Sequence, residues 1–460
     1  MQNIRNNVMY IPRLIDNELL IWKESKDHKP LLLRGARQVG KSRSVQNLAK
    51  TFDYYIEVNF EKNEELKTIF TTNIDVKTIV SKLSAYFSIP VLPGKTLIFL
   101  DEIQACVNAI KSLWFFREDF PELHVIAAGS LLEFTLKKIS SFGVGRIRSL
   151  YMYPLSFDEF LSAQGETGLI TAKNEASSEN PLDEIFHNRL VEEFRKYMII
   201  GGMPASVSAW VNTHDYLACA QEQEDIQQAY YDDFAKYSES VEPQLLRATL
   251  QSVVEQVGRK FVYSRVPGGY RGEDVKRALC LLADAGIIKE VKHTAANGLP
   301  LGAEVNNKFK KYLYLDSGLL LRIIDLDMGE AGRVTKSILV ATAEDLVNKG
   351  SLTEMVAGWE MLKYASPRVI HDLFYWAALD NGASSEVDYI TVKDAEVLPI
   401  EVKSGTSGKM KSLRLFMSKK SITHAVRLSL ENYGVLNFED RGTNRKISII
   451  PLYDVKHIFH

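Results

Sequence analysis

The 460-residue sequence has little cysteine: Cys106, Cys219 and Cys280, an odd and widely scattered set. They match neither a disulfide framework nor the paired spacing of a zinc site, which points to a reducing compartment. Long apolar runs are also missing. None approaches about 18 residues, so no transmembrane helix is expected. The opening stretch MQNIRNNVMYIPRLIDNELL lacks the apolar core of a signal peptide. The expectation is a soluble cytoplasmic protein with no membrane partner. Excess charge is absent too, since 56 basic and 58 acidic side chains leave a formal net charge of −2. Any nucleic-acid contact must then be confined to a local patch. The nine histidines show no ligand spacing, and there is no G-x-S-x-G elbow, internal repeat or low-complexity stretch.

What is present is a globular composition, 46% hydrophobic and 25% charged, in a chain long enough for two to four domains. The segment PLLLRGARQVGKSRSVQNLAK (30–50) reads as a short strand, a glycine-containing loop and a helix. Gly35, Ala36, Arg37, Gln38, Val39, Gly40, Lys41, Ser42 and Arg43 form the candidate phosphate cradle, on the pattern G-x-x-x-x-G-K-[ST]. Glycines at its ends let the backbone turn its N–H groups onto phosphate oxygens, and the following helix adds its N-terminal dipole. Lys41 supplies positive charge at the β- and γ-phosphates, and Ser42 is a candidate Mg²⁺ ligand.

The run KTLIFLDEIQ (95–104) predicts a strand ending in Asp101 and Glu102. A carboxylate at the carboxyl end of a neighbouring parallel strand suits the magnesium of a bound nucleotide. Asp101 is therefore the candidate metal residue and Glu102 the candidate for polarising the attacking water. LHVIAAGS (123–130) predicts a further strand ending in Ser130, a polar group suited to the γ-phosphate or the water. Strands alternating with helical patterns imply a parallel sheet with helices on both faces. No Asn-Lys-x-Asp guanine signature occurs, so ATP with Mg²⁺ is the expected cofactor pair.

Taken in order, RGARQVGKS, FLDEIQ, AAGS, GVGRIRSLYMYPLSFDEFL and GGMP resemble prokaryotic AAA-type ATPases of the archaeal-ATPase and STAND-like kind, over roughly residues 10–450. The resemblance implies that Arg146, or alternatively Arg148, reads the γ-phosphate as an arginine finger. It also likens GGMP (201–204) to a Gly-x-Pro element that reports nucleotide state. A helix-ending Gly–Pro turn is the other reading of that motif.

Farther along, residues 161–183 are polar and turn-rich and predict a loop. Residues 274–302 predict a helix, a strand and a hairpin-like loop in winged-helix order. Arg259, Lys260, Arg265 and Arg271 with Tyr263 and Tyr270 lie just before them. Basic side chains there could meet phosphates.

From about 345 the pattern changes. KGSLTEMVAGWEMLKY (349–364) predicts a helix carrying Glu354, and three short strands follow, with Asp388 in one and VLPIEVKSG (397–405) as the last. Glu401 and Lys403, two apart, share a strand face. This order resembles the PD-(D/E)XK nuclease core, which family members typically carry at this end. Glu354, Asp388 and Glu401 offer hard oxygens to a divalent cation, and Lys403 is suited to positioning water.

The expected fold class is therefore α/β. A P-loop NTPase parallel sheet with helices on both faces (1–160) is followed by a helical lid or linker (161–240) and a winged-helix-like segment (241–310). An α/β restriction-endonuclease-like C-terminal domain (311–460) completes it. The expected activity is Mg²⁺-dependent ATP hydrolysis coupled to a nuclease-like output that meets DNA or another nucleic acid. The alternative is an ATP-gated switch, a DNA- or protein-binding module whose C-terminal domain only grips a partner; a third reading is an ATP-driven ring motor, and a homo-oligomer is among the expected partners.

Overall fold

The structure, a computed structural model, describes residues 10–71, 75–130, 132–138, 145–237, 241–324, 349–378, 385–406 and 408–459. The chain divides into two compact units. The first comprises residues up to 154 with the short segments 284–286 and 366–370; the second holds the rest.

In the first unit the apolar runs become strands β1 (Leu31–Arg34), β2 (Tyr54–Asn59), β3 (Thr96–Asp101), β4 (His124–Ala128) and β5 (Arg148–Tyr151). Every residue of β3 and β4 is buried, as a parallel sheet covered on both faces requires. The order is β2-β3-β4-β1-β5, with all pairings parallel. The strand bearing Asp101 is thus not the immediate neighbour of β1, contrary to the sequence expectation, because β4 lies between them. Helices α1 (Leu14–Glu24), α2 (Lys41–Ala49), α3 (Val76–Phe87), α4 (Val107–Asp119) and α5 (Leu132–Lys138) complete the unit. One face buries Ile56, Val58, Leu100, Val125, Ile110 and Leu113 in a common core.

The second unit begins with α6 (Phe157–Ala163), started by a capping box in which Ser156 and Glu159 bond each other's backbone N–H. Residues 161–183 are not simply a loop: they contain α7 (Thr167–Glu175). The polar composition hid it because its buried anchor is a charged residue. Lys173 Nζ, fully buried, donates to Asp454 Oδ1 at 2.6 Å and sits 3.0 Å from Asp158 Oδ1. Next come α8 (Glu184–Ile200), α9 (Pro204–Thr213) and α10 (Tyr216–Asp233). GGMP joins α8 to α9. Gly201 ends α8 at φ +75°, and the Gly202 N–H donates to Asp316 Oδ2 at 2.6 Å. Asp316 also caps α13 (Ser317–Ile323) through the Leu319 N–H.

Helices α11 (Pro243–Glu255) and α12 (Gly272–Asp284) precede the antiparallel hairpin β6 (Ile288–Thr294) and β7 (Val305–Tyr314). Two helices and a hairpin follow one another here, but β6 also pairs parallel with β8 (Leu373–Ala377). The hairpin is therefore the edge of an eight-stranded mixed sheet, ordered β12-β13-β11-β10-β9-β8-β6-β7. Its remaining elements are α14 (Lys349–Tyr364), β9 (Glu386–Lys393), β10 (Glu396–Val402), α15 (Lys411–Lys419), β11 (His424–Ser429), β12 (Gly434–Asp440) and β13 (Thr443–Pro451). Strands β8, β9 and β10 form an antiparallel meander, and β11 returns parallel to β10 after α15. Among the described residues no helix is long and apolar enough to cross a membrane.

Candidate functional sites

At the carboxyl edge of the first sheet, the loop after β1 is shaped by residues at positive φ: Gly35 at +144°, Gln38 at +64° and Gly40 at +101°. A Cβ added at Gly35 would lie 2.1 Å from the Met152 carbonyl oxygen, so no larger residue fits. Gly40 is the residue before α2, which aims the first N–H groups of that helix into the loop. Arg13 steadies the loop from outside by donating to the Val39 carbonyl at 2.8 Å.

Lys41 is buried and donates to the carbonyls of Gly35 (2.9 Å) and Ala36 (2.7 Å). Burial pulls its pKa down to about 8, against the opposing pull of Glu102 and Asp101. Ser42 Oγ donates to Asp101 at 3.1 and 3.2 Å, so α2 and the end of β3 meet although β4 separates β1 from β3. Burial, then the charge of Glu102, raises the Asp101 pKa, opposed by the Ser42 hydrogen bond. Asn59, the last residue of β2, donates to Asp101 Oδ2 at 3.0 Å. Sequence reading missed it, although it carries the same signal as Asp101: a polar residue closing an apolar strand.

Glu102 follows β3 in the left-handed region at φ +49° and accepts from Gln104 Nε2 at 2.7 Å. Gln104 also crowds Gly129, where a Cβ would come within 2.1 Å of its Oε1. Ser130 comes next, past the carboxyl end of β4. The edge thus gathers Lys41, Ser42, Asp101, Glu102 and Ser130. It does not gather Arg146 or Arg148. Parallel pairing of Leu31 with Arg148 and Arg34 with Tyr151 puts both arginines at the amino edge, the far end of the strands from the phosphate loop. Arg146 Nε there bonds Glu118 Oε1 at 2.5 Å and its guanidinium lies over Trp114, 4.6 Å from the ring centroid.

In the second unit the register between β9 and β10 pairs Ile400 with Tyr389, so Glu401 and Asp388 stand opposite one position on. The Val402 N–H donates to Asp388 Oδ2 at 2.7 Å. Lys403 Nζ is bonded to Glu401 Oε1, as strand periodicity anticipates. Two further residues join them. Glu386, two positions before Asp388, shares its strand face, and Glu354, Glu386 and Asp388 offer oxygens all within 4.8 Å of one another. Lys311, on β7, is fully buried, lies 2.8 Å from Glu354 Oε1 and is also bonded to Glu386. Period-2 alternation with the buried Leu313 was its only sequence signal.

Burial raises the carboxyl pKa of Glu354, opposed by Lys311, and that of Asp388, again opposed by Lys311. Glu401 is raised by burial and by Asp388. Burial alone would lower Lys311, but Glu354, Glu386 and Asp388 push it higher. Glu401 Oε2 is buried with no hydrogen-bond partner among the described residues.

Residues 27–161 match the family model described as AAA domain. Residues 191–330 and 349–454 match models of two domains of unknown function, DUF8612 and DUF4143. No curated protein matches the chain. Among solved structures, a Walker-type ATPase of Pyrococcus abyssi is similar at 13% identity, over 68% of this chain and 96% of that one, with a TM-score of 0.43. The Aeropyrum pernix Orc1 protein in complex with DNA gives 13%, 72%, 96% and 0.31 in the same order. The S. cerevisiae Hsp104–ADP complex gives 12%, 60%, 38% and 0.28. Residues 27–161 thus combine the match to an AAA domain with a glycine-containing loop after β1 and a carboxylate at the end of β3, both on the carboxyl edge of a parallel sheet.

Proposed function

We propose that the protein binds ATP with Mg²⁺ in its first unit and hydrolyses it. The observation that carries this reading is the meeting of Lys41, Ser42 and Asp101 beside a loop whose Gly35 admits no side chain. Lys41 neutralises the β- and γ-phosphates when it exchanges its carbonyl partners for phosphate oxygens. The Ser42 hydroxyl and the Asp101 carboxylate are the hard oxygen donors that suit magnesium, and Asn59 holds Asp101 toward Ser42. Magnesium bound there would offset charge on the transferring phosphoryl group. Glu102 orients the attacking water and takes its proton, while Ser130 hydrogen-bonds the water or the γ-phosphate. Equilibrium binding of labelled ATP tests the site. Lys41→Ala should lose binding, and Ser42→Ala should lose the magnesium dependence of binding. Wild-type affinity in Lys41→Ala would refute the assignment.

A second reading concerns the C-terminal cluster. Asp388 opposite Glu401, beside Lys403 and on an α–β–β–β–α–β run (α14 to β11), supports a Mg²⁺-dependent nuclease-like output acting on DNA or RNA. Asp388 and Glu401 would hold the cation, and Lys403 would position water. The alternative output grips nucleic acid without cutting. Cleavage of mixed DNA and RNA substrates in Mg²⁺ and ATP, abolished by Asp388→Ala and by Lys403→Ala, supports cutting. No cleavage by the wild type under any nucleotide condition favours gripping.

A further inference from the structure

We propose that Lys311 is a tethered cation that fills one of two cation positions in the C-terminal carboxylate cluster, so that the site takes a single divalent ion between Asp388 and Glu401. This rests on reading the cluster as a cation site. Four carboxylates, Glu354, Glu386, Asp388 and Glu401, share the site with two ammonium groups, Lys311 and Lys403. With all six side chains ionised, the formal excess of two negative charges is balanced by one divalent ion and overbalanced by two.

The position of the lysine points the same way. Its ammonium lies against Glu354 and Glu386 and over the Tyr375 ring, 4.9 Å from the centroid. It comes from β7, outside the α14–β11 run that carries the acids. A wholly buried ammonium is tolerated only where carboxylates compensate its lost hydration. Those two carboxylates therefore each give one oxygen, Oε1, to the lysine, whose charge stands where a second cation would. The unsatisfied oxygen lies elsewhere. Glu401 is 5% exposed, gives Oε1 to Lys403, and leaves Oε2 without a hydrogen-bond partner among the described residues. Asp388 stands opposite it with Oδ2 on the Val402 N–H. An all-oxygen pair of this kind suits Mg²⁺ or Mn²⁺.

Mn²⁺ titration followed by electron paramagnetic resonance tests the inference, on the full chain without nucleotide and in an Asp101→Asn background that silences the first unit. The expected result is one equivalent of Mn²⁺ for that background and two for the same chain with Lys311→Met. Lys311→Met should also melt lower in EDTA and recover with Mn²⁺, the free ion replacing the lost ammonium. If Lys311→Met fails to fold in EDTA, Lys311→Met with Glu354→Gln removes the surplus charge and should fold and bind one equivalent. Two equivalents with Lys311 intact would overturn the proposal. So would a Lys311→Met chain that binds no additional ion and whose melting ignores Mn²⁺. No binding with Lys311 intact, but one equivalent in Lys311→Met, would uphold the tethered cation and refute the Asp388–Glu401 cation site instead.

Discussion

Asn59 offers a quantitative handle on the Asp101 site. Its amide donates to Asp101 Oδ2 at 3.0 Å, and its Oδ1 accepts from the N–H groups of Glu61 (3.1 Å) and Lys62 (3.0 Å). Asn59→Asp keeps the shape and the two accepted bonds but turns the donor into a second carboxylate. Losing a hydrogen bond to a buried charged group costs about 1.5–3 kcal/mol. Two like charges about 4 Å apart at an effective dielectric of 20 add about 4 kcal/mol, unless the pair holds a proton. Protonating one ordinary carboxyl at pH 7 costs a similar amount, about 4 kcal/mol, and about 1.5 kcal/mol at pH 5.

Because the repelling pair binds a proton more readily folded than unfolded, stability of this variant rises as pH falls. Asn59→Ala loses all three hydrogen bonds but adds no charge, so its deficit should depend on pH far less. With about 0.5–1.5 kcal/mol more for each of the two accepted bonds and roughly 2–4 °C per kcal/mol for a unit of this size, calorimetry should show Asn59→Ala melting about 5–24 °C low. Relative to Asn59→Ala, Asn59→Asp should lose about 5–10 °C more between pH 5 and pH 7, from the difference of about 2.5 kcal/mol in the proton cost. An Asn59→Asp deficit equal at both pH values, or no deficit at all, would refute the assignment of Asn59 as the donor that holds Asp101.

Other perturbations follow from the same geometry. Gly35→Ala should leave almost no folded, nucleotide-competent first unit, since its Cβ clashes with the Met152 carbonyl; circular dichroism and ATP binding would report it. Lys173→Met removes the buried cation between Asp158 and Asp454, leaving them Lys456 and the Tyr433 hydroxyl, and should destabilise the second unit by about 3 kcal/mol in denaturant titrations. His124 is buried, and burial lowers its pKa from 6.5 to about 4. The folded state then binds fewer protons than the unfolded one between those values. Its contribution, up to about 3 kcal/mol, is present above pH 6.5 and fades as pH falls toward 4. His124→Phe should flatten that part of the stability–pH curve, and an unchanged slope would count against the buried neutral imidazole.

The phosphate loop was legible because its chemistry is contiguous: residues 35–42 carry glycines, lysine and serine within one turn of chain. Asp101 was legible as a strand end, but its separation from β1 by β4 was not, because strand order is a long-range property. The same limit applies to Arg146, whose position depends on the register of β5 against β1 and not on its distance in sequence from Lys41. Helix α7 escaped notice since Lys173, a residue type that normally marks solvent, is buried by two distant aspartates. At the C-terminal site, periodicity alone paired Glu401 with Lys403. Lys311 could not be found that way, since the five basic or aromatic residues of KFKKY (308–312) look alike until β7 is paired against β6.

The central claim is that the first unit turns over ATP through Lys41, Ser42, Asp101 and Glu102. Single-turnover hydrolysis of radiolabelled ATP with Mg²⁺, comparing wild type with Glu102→Gln, tests it most directly. The wild type should release phosphate, and Glu102→Gln should retain ATP binding with little or no release. Equal release from both proteins would contradict it.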